Sequence, residues 1–215
     1  GGNGSSGGGQ SGTVYGSITD PQDLGSGGGN ANGGHGGGLI LLSVAGTFTN
    51  NGSVISNGAN GGNSSYSSAG GGSGGSINIT TSGFAGSGSI TSNGGVGGGA
   101  SVGGTGGGGA GGRIAIKYTS SSYSGTFAAK GGSQANYGGP GSIYTQASGT
   151  NGNLLYDNTG STNTLSTQKG YVILNTDQTF DNLTIQNVST VKISSNLTIT
   201  NTLTVASTSN LIVDS

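Results

Sequence analysis

The chain has no cysteine, methionine, tryptophan or glutamate, and its 215 residues include only two prolines. Without cysteine it can form neither disulfides nor thiolate metal sites. Charged residues make up 5% of the chain and the formal net charge is −1. A basic surface for nucleic acid or for anionic lipid is therefore excluded. No run of 18 apolar residues occurs, so the sequence predicts no transmembrane helix.

Glycine is the abundant residue, with 53 copies. This is roughly three times the average usage of about 7%. A strict three-residue period with abundant proline is missing, which excludes collagen. Disorder throughout is disfavoured because disordered chains usually carry high net charge, and because the apolar residues here cluster in short β-branched runs. A surface of serine, threonine, asparagine and glycine is poorly protected from self-association.

A glycine pair followed by a short apolar strand recurs at a spacing of 37 residues, starting at Gly37, Gly74 and Gly111. A fixed period of this length is typical of a chain that stacks one structural unit on the next. Alternation such as Ile77 and Ile79 predicts that one face of each strand points inward. No apolar stripe with helical spacing is present, so the sequence predicts β structure only.

Long glycine tracts, at residues 57–75 and 93–112, separate these units. Their position at one corner of every unit is typical of insertions in a solenoid. Two states are compatible with this composition. The tracts are either flexible loops, or extended polyglycine strands with three residues per turn whose backbones hydrogen-bond to one another.

From residue 171 onward glycine becomes rare and a shorter rhythm of 20 residues appears, from Leu183 to Leu203 and from Val191 to Leu211. Three short strands per coil of about 20 residues are typical of a parallel β-solenoid. The predicted fold is all-β: a right-handed parallel β-solenoid (β-helix) with long glycine-rich insertions. The predicted segments are an N-terminal glycine-rich segment (1–36), solenoid repeats (37–147), a polar connector (148–170) and shorter coils (171–215).

Three motifs carry a resemblance to a known group of proteins: the glycine-rich block ending at Gly111–Ile116, the pair Ile143-Tyr144, and Phe180–Ile185. Over most of residues 7–215 the chain resembles glycine-rich, adhesin-like β-helix surface proteins of bacteria and archaea. The resemblance implies an extracellular, repetitive, structural or adhesive protein. It implies no catalytic residue.

Candidate chemical residues are few. His35 is the only histidine, and we expect it to be an exposed loop residue without metal partners. Asp177 and Asp181 lie four residues apart near Lys169 and Lys192, a set that polysaccharide-cleaving β-helix enzymes would use for acid–base work. Because a strand and a turn separate the two carboxylates, we expect no catalytic, cofactor or metal site.

Acceptor motifs for N-glycosylation are frequent in so polar a chain. Asn182, Asn187 and Asn196, flanked by inward-facing residues, are the predicted outward positions. The outward Thr198 and Thr200 form a single threonine pair that is not repeated as a row along the stack, so the sequence gives only weak support for ice binding. Exposed tyrosines would stack on sugars or cap a narrow core.

The predicted function is that of an extracellular structural protein, a subunit of a cell-surface filament that assembles through its open solenoid ends. We expect self-association into a homopolymer, or continuation as part of a longer repeat chain. One alternative is a monomeric stalk or adhesin segment that binds glycans or surfaces. Another is a polysaccharide-active β-helix enzyme, although the sequence favours a protein without enzymatic activity.

Overall fold

The computed structural model describes residues 15–63, 68–99, 104–134, 136–160 and 170–213. These residues form strands, turns and extended segments, and none of the described residues is helical. The described part therefore contains no helix that could cross a membrane. The strands are β1 (Leu39–Thr49), β2 (Ser53–Ile55), β3 (Ser76–Ala85), β4 (Ser89–Thr91), β5 (Arg113–Ser121), β6 (Thr126–Ala128), β7 (Ser142–Ala147), β8 (Asn153–Asp157), β9 (Val172–Leu174), β10 (Gln178–Gln186), β11 (Thr190–Ile193), β12 (Leu197–Val205) and β13 (Asn210–Val213).

A seven-stranded main sheet runs through the molecule in the order β1-β3-β5-β7-β8-β10-β12. Two three-stranded sheets, β2-β4-β6 and β9-β11-β13, accompany it. Every strand pairs parallel with its neighbours except β7 and β8, which pair antiparallel. The predicted all-β class and parallel pairing are confirmed, and the main sheet is mixed at this one joint.

The two sequence periods are the registers of these strands. Leu39 pairs with Ser76 and Ser76 with Arg113, which is the 37-residue period. Leu183 pairs with Leu203, which is the 20-residue period. The first of these strands, β1, is continuous from Leu39 to Thr49, with a register shift between Val44 and Thr47.

Two hydrophobic cores lie on opposite faces of the main sheet. The front core contains Ile77, Ile79, Ile114, Ile116 and Ile143, and lies between the main sheet and β2-β4-β6. The back core contains Tyr144, Leu154, Phe180, Leu183 and Val191, and lies against β9-β11-β13. Adjacent residues Ile143 and Tyr144 of β7 thus belong to different cores, as the two-residue alternation of a strand requires. The central strands are consequently buried on both faces.

The glycine tracts are ordered and packed against one another. Gly58 and Gly61 donate backbone hydrogen bonds to Asn93 and Val96 of the next tract, both at 2.8 Å. The intervening Ala59 donates to His35, on a different neighbour. Donors that return to the same neighbour every third residue indicate the threefold symmetry of extended polyglycine strands. Of the two states compatible with the sequence, the structure shows the packed one.

The tracts form two layers. Tracts that follow β2, β4 and β6 make one layer, and tracts that precede β3, β5 and β7 make the other. Neighbours within a layer run parallel, whereas bonds between layers, such as Gly72 to Ala59 at 2.9 Å and Gly95 to Gly72 at 2.8 Å, join antiparallel tracts. A Cβ atom at Gly72 would lie 2.0 Å from the carbonyl oxygen of His35. The close approach of the backbones is the reason that these positions are glycine.

Candidate functional site

A cavity of about 430 Å³ lies on the back face of the main sheet, where two parts of the chain meet. Its floor is formed by the first residues of two neighbouring strands, Arg113 of β5 and Ser142 of β7, together with Tyr156 of β8. One wall is residues 15–18, and another is β9 with Asn175, Thr176 and Gln178. We refer to it as the Arg113 cavity.

Arg113 is the only arginine in the chain and is 6% exposed. Burial lowers the pKa of its guanidinium, and the nearby negative charge of Asp23 opposes that effect. The group also lies 6.0 Å from the centre of the Tyr15 ring, within reach of a cation–π contact. Arginine remains protonated in proteins, so the cavity floor carries a buried positive charge.

Two hydroxyl groups of the cavity floor have no hydrogen-bond partner. Ser142 Oγ and Tyr156 OH are both fully buried and unsatisfied. Burial also raises the pKa of the Tyr156 phenol, which therefore keeps its proton and remains a donor. Buried polar atoms in native structures are nearly always paired, so two orphans beside a buried cation form an unusual polar cluster.

The wall formed by residues 15–24 is held in place by the back face of the sheet. Ser76 Oγ donates to the carbonyl oxygen of Asp23 at 2.6 Å, and Asn78 Nδ2 donates to Asp20 Oδ1 at 2.7 Å. Tyr15 OH donates to the carbonyl oxygen of Leu24 at 2.7 Å. The bonds from Asn78 and Gln22 lower the pKa of Asp20. This segment therefore stands as a fixed wall of the cavity.

The two outer strands of the main sheet, β1 and β12, form a second candidate site. Each has one edge without a partner strand among the described residues. Leu41 on β1 is 64% exposed, and Leu203 on β12 is 48% exposed. Leu183, which pairs with Leu203 one strand further in, is completely buried. The row of apolar side chains that includes Leu183 thus extends to Leu203 on the last strand, where it is exposed.

The predicted glycosylation positions lie on the second half of the main sheet and its turns. Asn187 and Asn196 are exposed, whereas Asn182 is half-buried. Asn182 donates to Asn153 at 2.5 Å and accepts from Asn201 at 3.1 Å, so it is the centre of an asparagine ladder. Their glycosylation stays a prediction.

Asp177, just before β10, and Asp181, within β10, accept hydrogen bonds from different parts of the chain. Asp177 accepts from the backbone and side chain of Asn196 at 2.9 and 3.2 Å. Asp181 accepts from Thr200 at 2.8 Å and from Asn151 at 3.0 Å. These bonds lower the pKa of both carboxyls.

Two other residues singled out from the sequence are His35 and Lys169. His35 is exposed, and the residues that the structure describes contain no group of metal-ligating side chains. Lys169 lies outside the described residues.

Sequence analysis did not identify the Arg113 cavity. One signal was available: the register positions equivalent to Arg113 in the other repeats are Leu39, Ser76 and Ser142. The other three residues at this repeat position are uncharged, so the positive charge of Arg113 is a departure from the repeat. Comparison with family models, with curated proteins and with solved structures finds no significant match to this chain.

Proposed function

We propose that this chain is an extracellular structural module, the subunit of a filament that grows by pairing the outer strands of its main sheet. In this proposal the strands are the walls of a β-solenoid. Successive strands β1 to β6 alternate between the main sheet and β2-β4-β6, as expected when each turn of a coil crosses two walls. The glycine layers close each coil on its third side.

The reversal between β7 and β8 supports two coils of the same hand. In a coil of fixed hand, the strands of the front wall run in one direction and the strands of the back wall run in the opposite direction. Because the main sheet reverses direction at β7–β8, a second coil of the same hand needs its core on the opposite face, where the back core lies. Crossovers between parallel strands are nearly always right-handed, and we assign that hand to both coils.

The observation that carries the proposal is that β1 and β12 each have one edge without a partner strand among the described residues. β1 is 11 residues long, carries no charged side chain, and ends the front core with the half-buried Ile40 and Leu42. Proteins normally protect such edges with charges, prolines or bulges, because an unpaired apolar strand templates another strand. The register shift of β1 lies between Val44 and Thr47, beyond its apolar first half. Five per cent of charged residues leaves little such protection anywhere on the chain.

The joint between two copies has a preferred geometry. β12 runs antiparallel to β1, and its core lies on the opposite face of the main sheet. Rotating the next copy by about half a turn about the stacking axis reverses both its strand direction and its core face. Its β1 then pairs parallel with β12 and extends the same core. Seven strands at about 4.8 Å give an axial rise of about 34 Å per copy.

Electron cryo-microscopy of the purified chain at increasing concentration tests this proposal. We expect filaments with a rise near 34 Å and about half a turn per subunit. Ile40→Lys and Leu203→Lys, each on the core face of an outer strand, should both abolish them, whereas Thr119→Lys, on the central strand β5, should not. A chain that stays monomeric at high concentration would favour the stalk instead. Filaments with no rotation between subunits would refute the parallel joint.

A further inference from the structure

We propose that the Arg113 cavity binds a sugar acid, that is, a single saccharide ring that carries a carboxylate. This binding site is separate from the strand edges that carry the structural proposal. It rests on three features of the cavity: a buried guanidinium, two unpartnered hydroxyls, and a wall of hydroxyl and amide groups opposite them.

The guanidinium selects the carboxylate. Among the described residues its partners are the Tyr15 ring at 6.0 Å and the charge of Asp23, and the guanidinium donates no hydrogen bond to a described oxygen. The planar fork of arginine matches a carboxylate with two parallel hydrogen bonds. Asp23 is not among the lining residues, although its carboxylate lies beside Gly16 close to Arg113, so its charge partly balances the guanidinium.

The two orphan hydroxyls extend the recognition beyond the charge. Ser142 is 3% exposed and Tyr156 is completely buried, and both residues are in the lining of the cavity beside Arg113. Each is a donor that a ligand oxygen would satisfy. Leaving both unpaired is costly in a native structure, and a ligand with several oxygens removes that cost.

The rest of the lining fits a polyhydroxylated ring. Ser17, Asn175, Thr176 and Gln178 supply further donors and acceptors, and the 42% exposed Tyr15 supplies an aromatic ring at the rim. Sugars combine hydroxyl edges with an apolar ring face that packs on aromatic side chains. A volume of about 430 Å³ is in the range of small-molecule sites and has room for one saccharide ring.

Isothermal titration calorimetry on the full chain with D-glucuronate as the probe tests this inference. D-glucose serves as the neutral counterpart, acetate as the carboxylate without a ring, and inorganic phosphate as a different anion. We expect glucuronate to bind at least tenfold more tightly than each of these. A simple carboxylate site would bind acetate as well as glucuronate, and a general anion site would bind phosphate as well; either result overturns the sugar-acid assignment.

Variants of the cavity floor locate the binding. Arg113→Gln removes the charge but keeps a planar hydrogen-bonding group, and should weaken glucuronate binding at least tenfold, whereas Arg113→Lys should have an intermediate effect. Tyr156→Phe and Ser142→Ala should each weaken binding severalfold without lowering the melting temperature of the free protein. Tyr118→Phe, a matched hydroxyl deletion outside the cavity, should change neither.

Two further outcomes would overturn the proposal: no heat with glucuronate at millimolar concentration, or equal affinity in Arg113→Gln. Filament formation is measured separately and on different residues. A failure of glucuronate binding therefore leaves the structural proposal standing, and monomeric protein leaves this one standing.

Discussion

The packing of the glycine layers predicts that one added methyl group at their centre is severely destabilising. The change is Gly72→Ala. Its Cβ atom would lie 2.0 Å from the carbonyl oxygen and 2.5 Å from the carbonyl carbon of His35, whereas ordinary contact begins at 3.4 Å. Both clashes are with backbone, so no side-chain rotation relieves them. The tract that contains His35 must move by about 1.4 Å.

That displacement breaks the hydrogen bonds of the moving tract. Gly34 and Gly37 donate to the Gly72 tract at 2.9 and 2.8 Å, at Gly70 and Ser73, and His35 accepts from Ala59 at 2.8 Å. Each bond contributes about 0.5–1.5 kcal/mol net to stability. Losing the three costs about 2–4 kcal/mol, which lowers the melting temperature of a chain of this size by roughly 5–15 °C.

The matched control is Gly29→Ala, in the same glycine-rich layers. A Cβ atom there meets nothing within 4 Å. Its main effect is to restrict the unfolded chain, which stabilises a protein by about 0.4–1 kcal/mol. Circular dichroism melting curves of the two variants and the parent chain make the measurement. If Gly72→Ala melts together with Gly29→Ala, the tracts are not packed in solution and the layered arrangement is refuted.

Three further predictions concern polar groups. Tyr156→Phe removes an unsatisfied buried hydroxyl and should leave the free energy of unfolding unchanged or raise it by about 1 kcal/mol. If urea titration shows that the free energy of unfolding falls by more than about 1 kcal/mol, the hydroxyl is paired. Burial raises the pKa of Asp157, but hydrogen bonds from Thr159, Asn187 and Gln186 outweigh it and hold the folded-state pKa below the usual value. The ionised Asp157 carboxylate therefore stabilises the fold above about pH 4, and this stabilisation is lost as pH falls through the folded-state pKa. Asp157→Asn should accordingly flatten the acid side of a plot of the free energy of unfolding against pH. An unchanged plot would contradict this. In a glycosylating host, glycopeptide mass spectrometry should find Asn187 and Asn196 more occupied than the half-buried Asn182, and preferential modification of Asn182 would show that the asparagine ladder opens.

Much of the sheet pairing follows from the sequence because strand register depends on local alternation. Ile77 and Ile114 occupy the same position in their repeats, and the structure pairs them directly. The same logic pairs Leu183 with Leu203. A slip of one residue would move every isoleucine to the opposite face, so the apolar pattern determines the register strongly.

The reversal at β7–β8 was harder to predict because its signal is short. Asn151-Gly152 lies between two apolar strands and is typical of a hairpin turn, and Gly149 and Gly152 have the positive φ angles, 82° and 80°, that such turns need. The composition of residues 148–170 instead suggested a polar connector. The structure places β8, in the middle of this segment, as a full member of the main sheet.

The Arg113 cavity depends on contacts that the sequence does not display. Residues 15–24 cross the back face of the main sheet through bonds to Ser76 and Asn78, about 55 residues away. No periodicity links these segments, so the burial of Arg113 could not be inferred from its strand alone. The state of the glycine tracts was undecided for a related reason, because flexible and packed tracts have the same composition and only the bonds between tracts distinguish them.

The packing of the glycine layers also affects how readily proteases can cleave this chain. An endoprotease needs a locally detached, extended segment with side chains that fill its subsites. In these layers the backbone donors are bonded to neighbouring tracts and most positions have no side chain. Cleavage must therefore wait for several tracts to separate together, which makes the opening free energy the rate-determining quantity. With one buried arginine and four lysines in 215 residues, trypsin has few sites, and we expect the folded chain to survive in a protease-rich environment.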